Sequence, residues 1–289
     1  MTKTIKTVGV IGCGQMGSGI GIVSVLKANL PVIFLDSNAS SLNRGQARVI
    51  EYFDRMVKKQ KLTEARAKEL LPMFSFVQNS HDLGKCDFIV EAINEDFELK
   101  KKIINDVESN IFNDFTIFAS NTSSISITKL AACSKRPANF VGMHFFNPVP
   151  VMNLVEVISG LQTSDETMQR TLGLAQLMGK ETVQAKDVPG FITNRVLMPW
   201  INEAIFALQE GIASIEDIDK AMKLGTNVPM GPLTLADFIG LDTCLAIMKV
   251  LYQELGNQKF APCPLLCRYV DAGKLGRKTG EGFYKYDSK

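Results

Sequence analysis

One stretch, residues 5–36, narrows the possible folds more than anything else in the chain. Ile5 to Ile11 is apolar and rich in β-branched residues, the composition of a strand buried on both faces. It runs straight into Gly12-Cys13-Gly14-Gln15-Met16-Gly17. An uncharged, small-residue segment, Ser18 to Leu26, then suits a buried helix. A second apolar run, Pro31 to Leu35, ends at Asp36. Strand, glycine turn, helix, strand and acid stand in this order, with the acid about twenty residues beyond the last glycine, as in a dinucleotide-binding βαβ unit. Gly12 permits the tight turn, Gly14 lets backbone approach a pyrophosphate, and Gly17 lets the helix close on the strand. Free N–H groups and the positive dipole end at the helix N-terminus face the phosphates. Asp36 accepts both ribose hydroxyls of an adenosine. It would repel a 2′-phosphate, and Ser37-Asn38-Ala39 offers no arginine to receive one, so the expected cofactor is NAD.

The same stretch has no charge from Val8 to Leu26 and follows Lys3 and Lys6, which superficially suits a signal peptide or a membrane span. Its motif glycines, Gln15 and two serines argue against both, and no A-x-A cleavage site follows. A buried βα unit is the better reading. With 289 residues the chain has room for about two domains, and 46% hydrophobic with 21% charged residues suits a soluble globular enzyme without a membrane partner. A net charge of +2 is too balanced for a dedicated nucleic-acid binder. The six cysteines are scattered, which together with the absence of a secretory segment suggests reduced thiols in a cytoplasm. Cys263 and Cys267 are the one close pair, and with only two histidines in the chain no metal site is expected.

Residues 38–71 are polar and helix-compatible, with a break near Gln60 to Thr63. They are too long for an ordinary βα connection and read as a helical insertion. Eight basic and four acidic residues between Arg44 and Glu69 are either solvated helix faces or a basic ledge for an anionic substrate tail; composition favours the first. Strand patterns recur at Phe74 to Gln78, Asp87 to Ile93, Thr116 to Asn121, Asn139 to Phe146, Val151 to Ile158 and Glu181 to Ala185. Helical patterns at Phe97 to Asn110 and Ser164 to Met178 lie between them. This alternation implies an α/β, Rossmann-type, doubly wound and mainly parallel sheet. Beyond Lys186-Asp187-Val188-Pro189-Gly190 nearly every pattern is helical. The expected domains are therefore 1–186, nucleotide-binding, and 187–289, all-α.

Two histidines are present. His81 sits in the polar turn Asn79-Ser80-His81-Asp82, a surface setting, whereas His144 ends a strand, where ligands bind in a doubly wound sheet. Glu156 lies within the apolar strand Leu154-Val155-Glu156-Val157-Ile158, where a lone buried carboxylate is costly unless paired. A loop through Pro148 and Pro150 could fold that strand back and bring Glu156 to His144. The pair would act as a general base, the carboxylate fixing the tautomer and stabilising the imidazolium; the alternative is a satisfied core histidine. Ser123 also ends a strand, in the cluster Asn121-Thr122-Ser123-Ser124. It is either a functional hydroxyl or a helix N-cap, with Ser126 and Thr128 competing for the cap. Asn194, just after Pro189-Gly190, is a cap remnant or a substrate donor.

Over its whole length the chain resembles the L-3-hydroxyacyl-CoA dehydrogenase family, nearest to its free-standing bacterial branch, the 3-hydroxybutyryl-CoA dehydrogenases. The likeness is carried by VGVIGCGQMGSGI, DFIVEAINED, FASNTSSISIT, HFFNPVPVMNLVEVI, DVPGFITNR, GPLTLADFIGLD and GRKTGEGFYKY. It implies reversible NAD-dependent oxidation of an (S)-3-hydroxyacyl-CoA thioester to the 3-oxo compound, in fatty-acid and butanoate metabolism. His144 would be the base, Glu156 its orienting partner, and Ser123 and Asn194 the hydrogen-bonding partners of the reacting oxygen. NAD would be held by Gly12, Gly14, Gln15, Met16, Gly17, Asp36, Glu95, Lys100, Asn121, Ser123, Asn147 and Lys278. The insertion would be an arm over coenzyme A, which reverses the bland reading of its charge. Lys59 and Ser123 would contact the coenzyme-A substrate, and Tyr52 stands where some relatives carry serine. A homodimer through the C-terminal domain is implied too. Rival readings are a dehydrogenase of a free hydroxy or sugar acid and a non-enzymatic NAD-binding structural protein.

Overall fold

The computed structural model describes residues 4–111 and 113–286. It divides into two compact units, one ending at Val188 and the other beginning at Pro189. The first contains β1 (Val8–Ile11), α1 (Gln15–Leu26), β2 (Val32–Leu35), α2 (Ala39–Lys58), α3 (Glu64–Leu70), β3 (Phe74–Val77), β4 (Phe88–Glu91), α4 (Phe97–Glu108), β5 (Ile117–Ser120), α5 (Ile127–Ala131), β6 (Phe140–Phe145), β7 (Leu154–Ser159), α6 (Asp165–Leu177) and β8 (Glu181–Lys186). The strands form one eight-stranded sheet in the order β3-β2-β1-β4-β5-β6-β7-β8. Every neighbouring pair is parallel except β6 with β7.

This topology follows from local chemistry. The segment between β6 and β7 is too short for a crossover helix, so the chain can only turn back on itself, and the two strands pair antiparallel. Strand order reverses between β1 and β4, which opens a crevice beyond their carboxyl ends. At the end of β1, Gly12 has φ +96°, which suits glycine. A Cβ on Gly17 would lie 1.9 Å from the Gly12 carbonyl oxygen, so only glycine lets α1 pack this close. The helix starts at Gln15, three residues before the pattern Ser18 to Leu26, because Gly14 already serves as its N-cap. The other strands and helices deviate from the sequence patterns by a few residues at their ends.

The insertion is a helical hairpin. α2 buries Leu42, Gly45, Val49 and Phe53, a stripe at helical spacing, and leaves its charged residues outward. Asn38 caps α2 through Ser41 N, Thr63 caps α3 through Arg66 N, and Gln60 at φ 55° makes the break. The hairpin's apolar side joins the same core as β1, β2, β4 and α6.

The second unit contains α7 (Thr193–Gln209), α8 (Ile215–Gly225), α9 (Pro232–Ile239), α10 (Leu241–Leu255) and α11 (Pro264–Asp271) around a separate core that includes Met198, Ile205, Leu233, Met248 and Phe260. Two buried aspartates tie down its C-terminal tail. Asp237 accepts from Phe283 N and Tyr284 N, each at 2.9 Å, and Asp219 accepts from Tyr284 Oη at 2.9 Å. Among the described residues, no helix is long and apolar enough to cross a membrane.

Candidate active site

The crevice beyond β1 and β4 holds a cavity of about 670 Å³ lined by Gly12, Gly14, Asp36, Ser41, Gln78 and Asn94, among others. Gly14 leaves open space where a Cβ would stand. The Asp36 carboxylate is set by the backbone: Oδ2 accepts from Cys13 N at 3.1 Å and Oδ1 from Asn38 N at 3.0 Å. A turn with room for phosphate, a helix N-terminus behind it and a pre-set carboxylate at the end of β2 fit the adenosine half of NAD. Met16 packs partly buried on the core, while Gln15 reaches out and donates through Nε2 to Asn147 Oδ1 at 2.9 Å.

His144 and Glu156 are directly opposite in the β6–β7 register. Nδ1 of His144 lies 2.7 Å from Oε2 of Glu156, the histidine 7% exposed and the glutamate fully buried. A carboxylate only accepts, so in the neutral ring the proton sits on Nδ1 and the lone pair on Nε2. The ring of Phe146 lies 4.6 Å away, centroid to centroid. The paired strands thus place the imidazole at the carboxyl end of the sheet with its other side braced by a buried anion.

Ser123 sits in a tight turn after β5. It does not cap α5; Ser126 does, accepting from Lys129 N, so that reading of Ser123 is set aside. Its turn closes around one oxygen of Glu95. Oε1 accepts from Thr122 Oγ1 at 2.6 Å, from Ser123 N at 2.9 Å, and from Ser124 N and Oγ at 3.0 and 2.9 Å. Partial burial would raise the Glu95 pKa, but the Lys100 charge and these hydrogen bonds hold it below the ordinary carboxylate range. Lys100 itself is 1% exposed, with its ammonium 2.6 Å from Glu91 and 3.4 Å from Glu95. Lys100 thus touches the Ser123 turn only by way of Glu95. Asn121 Oδ1 accepts from Phe145 N at 2.9 Å, which ties the end of β5 to the residue after His144.

A second cavity, about 380 Å³, lies between α1, α2 and the loop 147–151; Arg48, Tyr52, Arg55 and Pro148 line it. Arg48 Nη1 donates to Cys13 O at 3.0 Å, and the Arg55 guanidinium stands 5.4 Å from the Tyr52 ring centroid. Lys59 is exposed at the C-terminal end of α2 and is not among the residues lining this cavity. His81 is exposed. Asn194 and Lys278 belong to the second unit. Asn194 is buried in the first turn of α7, after its N-cap Ile192, so it is not a cap. Lys278 is ion-paired with Asp242 at the start of α10.

Glu91 escaped the sequence reading. It carries the same signal as Glu156, a single acid within an apolar run, Phe88 to Ile93. Its partners are Lys100 on the next helix and Ser120 on the neighbouring strand, which only the β4–β5 register places opposite it.

Comparison with known proteins bears on the whole chain. Residues 7–188 match the family model of the 3-hydroxyacyl-CoA dehydrogenase NAD binding domain, and residues 190–286 that of the 3-hydroxyacyl-CoA dehydrogenase C-terminal domain. The chain is 48% identical to a 3-hydroxybutyryl-CoA dehydrogenase of Bradyrhizobium diazoefficiens, covering 99% of this chain and 97% of that one. It is 49% identical to a probable 3-hydroxybutyryl-CoA dehydrogenase of Bacillus subtilis, over 99% of both. In structure it matches the (S)-3-hydroxybutyryl-CoA dehydrogenase of Ralstonia eutropha with a TM-score of 0.96 and 48% identity, covering 99% of this chain and 100% of that one.

Proposed function

Since this chain belongs to the 3-hydroxyacyl-CoA dehydrogenase family, we propose that it interconverts (S)-3-hydroxyacyl-CoA and 3-oxoacyl-CoA with NAD, acting on short chains such as 3-hydroxybutanoyl-CoA. The observation that carries this is the buried His144–Glu156 contact at 2.7 Å, at the carboxyl end of the same sheet that holds the nucleotide turn. In the oxidative direction, Nε2 of His144 takes the proton of the 3-hydroxyl, and Glu156 stabilises the imidazolium that results. Bound at the glycine turn and Asp36, NAD would supply the hydride acceptor for C3. Ser123 and Asn194 hydrogen-bond the reacting oxygen, which in the reductive direction polarises the ketone. The residues hold the reactants in place and stabilise charge as it forms.

Residues 1–186 then serve as the nucleotide-binding domain and 187–289 as a substrate and dimerisation domain, the active form being a cytoplasmic homodimer. Arg48, Tyr52 and Arg55 suit the anionic, partly apolar arm of coenzyme A, with Lys59 further along α2. Glu95, Asn121, Asn147 and Lys278 assist the cofactor. The test is His144→Ala, measured for turnover of 3-hydroxybutanoyl-CoA and, separately, for NADH binding by fluorescence. Turnover should be lost and NADH affinity kept. Retained turnover would remove His144 as the base.

A further inference from the structure

The Ser123 turn is gripped from two directions, and both lead to one buried side chain. Glu91 Oε2 accepts from Ser120 Oγ at 2.6 Å, and Ser120 is the last residue of β5 before the turn. Glu91 Oε1 accepts from Lys100 Nζ at 2.6 Å and from Ile93 N at 2.8 Å. Lys100 continues to Glu95 Oε2 at 3.4 Å, and Glu95 Oε1 gathers Thr122, Ser123 and Ser124. Ser120 Oγ also accepts from Thr122 N at 3.3 Å, and Asn121 N donates to the Glu91 carbonyl at 2.8 Å.

A buried Glu–Lys pair adds little stability over well-packed apolar residues of the same shape, so stability alone does not account for it. We propose that Glu91 is a positioning residue that fixes the Ser123 hydroxyl for the reacting oxygen, through Ser120 on one side and Lys100–Glu95 on the other. The proposal rests on the reading of Ser123 as a substrate contact. The Lys100 ammonium shares itself between two carboxylates, the nearer being Glu91. When the Glu91 charge is removed, Glu95 becomes the one anionic partner among these groups. Its carboxylate is drawn towards Lys100 and away from the five donors of the turn, the Ser123 hydroxyl at 3.4 Å among them. Ser123 then loses the backbone hydrogen bond that sets it in place.

The experiment is a double-mutant cycle with Glu91→Gln and Ser123→Ala, read as kcat and KM for acetoacetyl-CoA reduction, with NADH titration and thermal melts alongside. Glu91→Gln keeps the shape of the side chain. It should lower kcat by roughly ten- to hundredfold, the cost of a small misplacement of a reacting group, while the double variant is no slower than Ser123→Ala alone. Losses that multiply, or a kcat for Glu91→Gln within about twofold of the parent, overturn the proposal. If Ser123→Ala leaves kcat intact, the substrate role of Ser123 fails and the relay falls with it. That outcome is distinct from a sensitive Ser123 with an indifferent Glu91. Should Glu91→Gln not fold, Ser120→Ala removes one grip without touching a charge. It should show a smaller loss that is again absent on the Ser123→Ala background; an additive loss overturns the relay there too.

Discussion

Replacing Glu156 with glutamine isolates one quantity, the negative charge beside the imidazole. The side chain is fully buried and sits 2.7 Å from His144 Nδ1, so an isosteric amide fills the same space and its oxygen can still accept the Nδ1 proton. The fold and the tautomer therefore survive, and the stabilisation of the imidazolium is lost. With closest atoms at 2.7 Å, the charge centres lie about 4 Å apart. At an effective dielectric of about 20 that pair attracts by about 4 kcal/mol. At about 1.4 kcal/mol per decade this is about a thousandfold in rate, within the range of roughly 10²–10⁴ for lost acid–base assistance. The assay is steady-state oxidation of 3-hydroxybutanoyl-CoA by the purified variant, with NADH titration as a control. The kcat should fall by about 10³ and NADH affinity should stay, because Asp36 and the glycine turn stand on other strands. A kcat within a few-fold of the parent would make Glu156 a structural strand residue. Lost NADH affinity would contradict the separation of the two sites.

Two further outcomes follow from the nucleotide half. The specificity constant for NADH should exceed that for NADPH by at least about tenfold, because the Asp36 carboxylate is already oriented by two backbone amides and would repel a 2′-phosphate; equal constants would remove Asp36 from this role. Burial first, and the Asp36 charge second, push the Cys13 thiol up to about 12. At pH 8 about 10⁻⁴ of it is thiolate, so iodoacetamide followed by peptide mapping should find Cys13 unmodified while the half-buried Cys133 and Cys267 react, and early labelling of Cys13 would contradict its burial.

Particular residues show what can be read from the chain and what cannot. The βαβ unit was legible because its signals are local: glycines where only glycine fits, and an acid at fixed spacing. The His144–Glu156 contact was legible because a short loop with two prolines forces neighbouring antiparallel strands, and a lone acid in an apolar strand needs a partner. Glu91 carried that same signal and was missed, since Ser120 comes from a parallel neighbour whose register no local pattern sets and Lys100 from the helix beyond the next loop. The choice of Ser126 over Ser123 as cap of α5 also depends on tertiary structure. The carboxylate of Asp187, from the end of the first unit, accepts from Ser126 Oγ, Ile127 N and Thr128 N and fixes where that helix begins. The role of the charged insertion was the hardest to read, because solvated helix faces and a ligand ledge have the same composition; what the structure adds is a cavity beside Arg48, Tyr52 and Arg55.

The central claim is that this chain reduces and oxidises a coenzyme-A thioester and not a free acid. The most direct measurement is NADH oxidation by the purified protein with acetoacetyl-CoA and with free acetoacetate, compared as kcat/KM. Binding energy from the coenzyme-A arm, away from the reacting carbon, should favour the thioester by at least about 10²-fold. Equal constants, or a preference for acetoacetate, would contradict it.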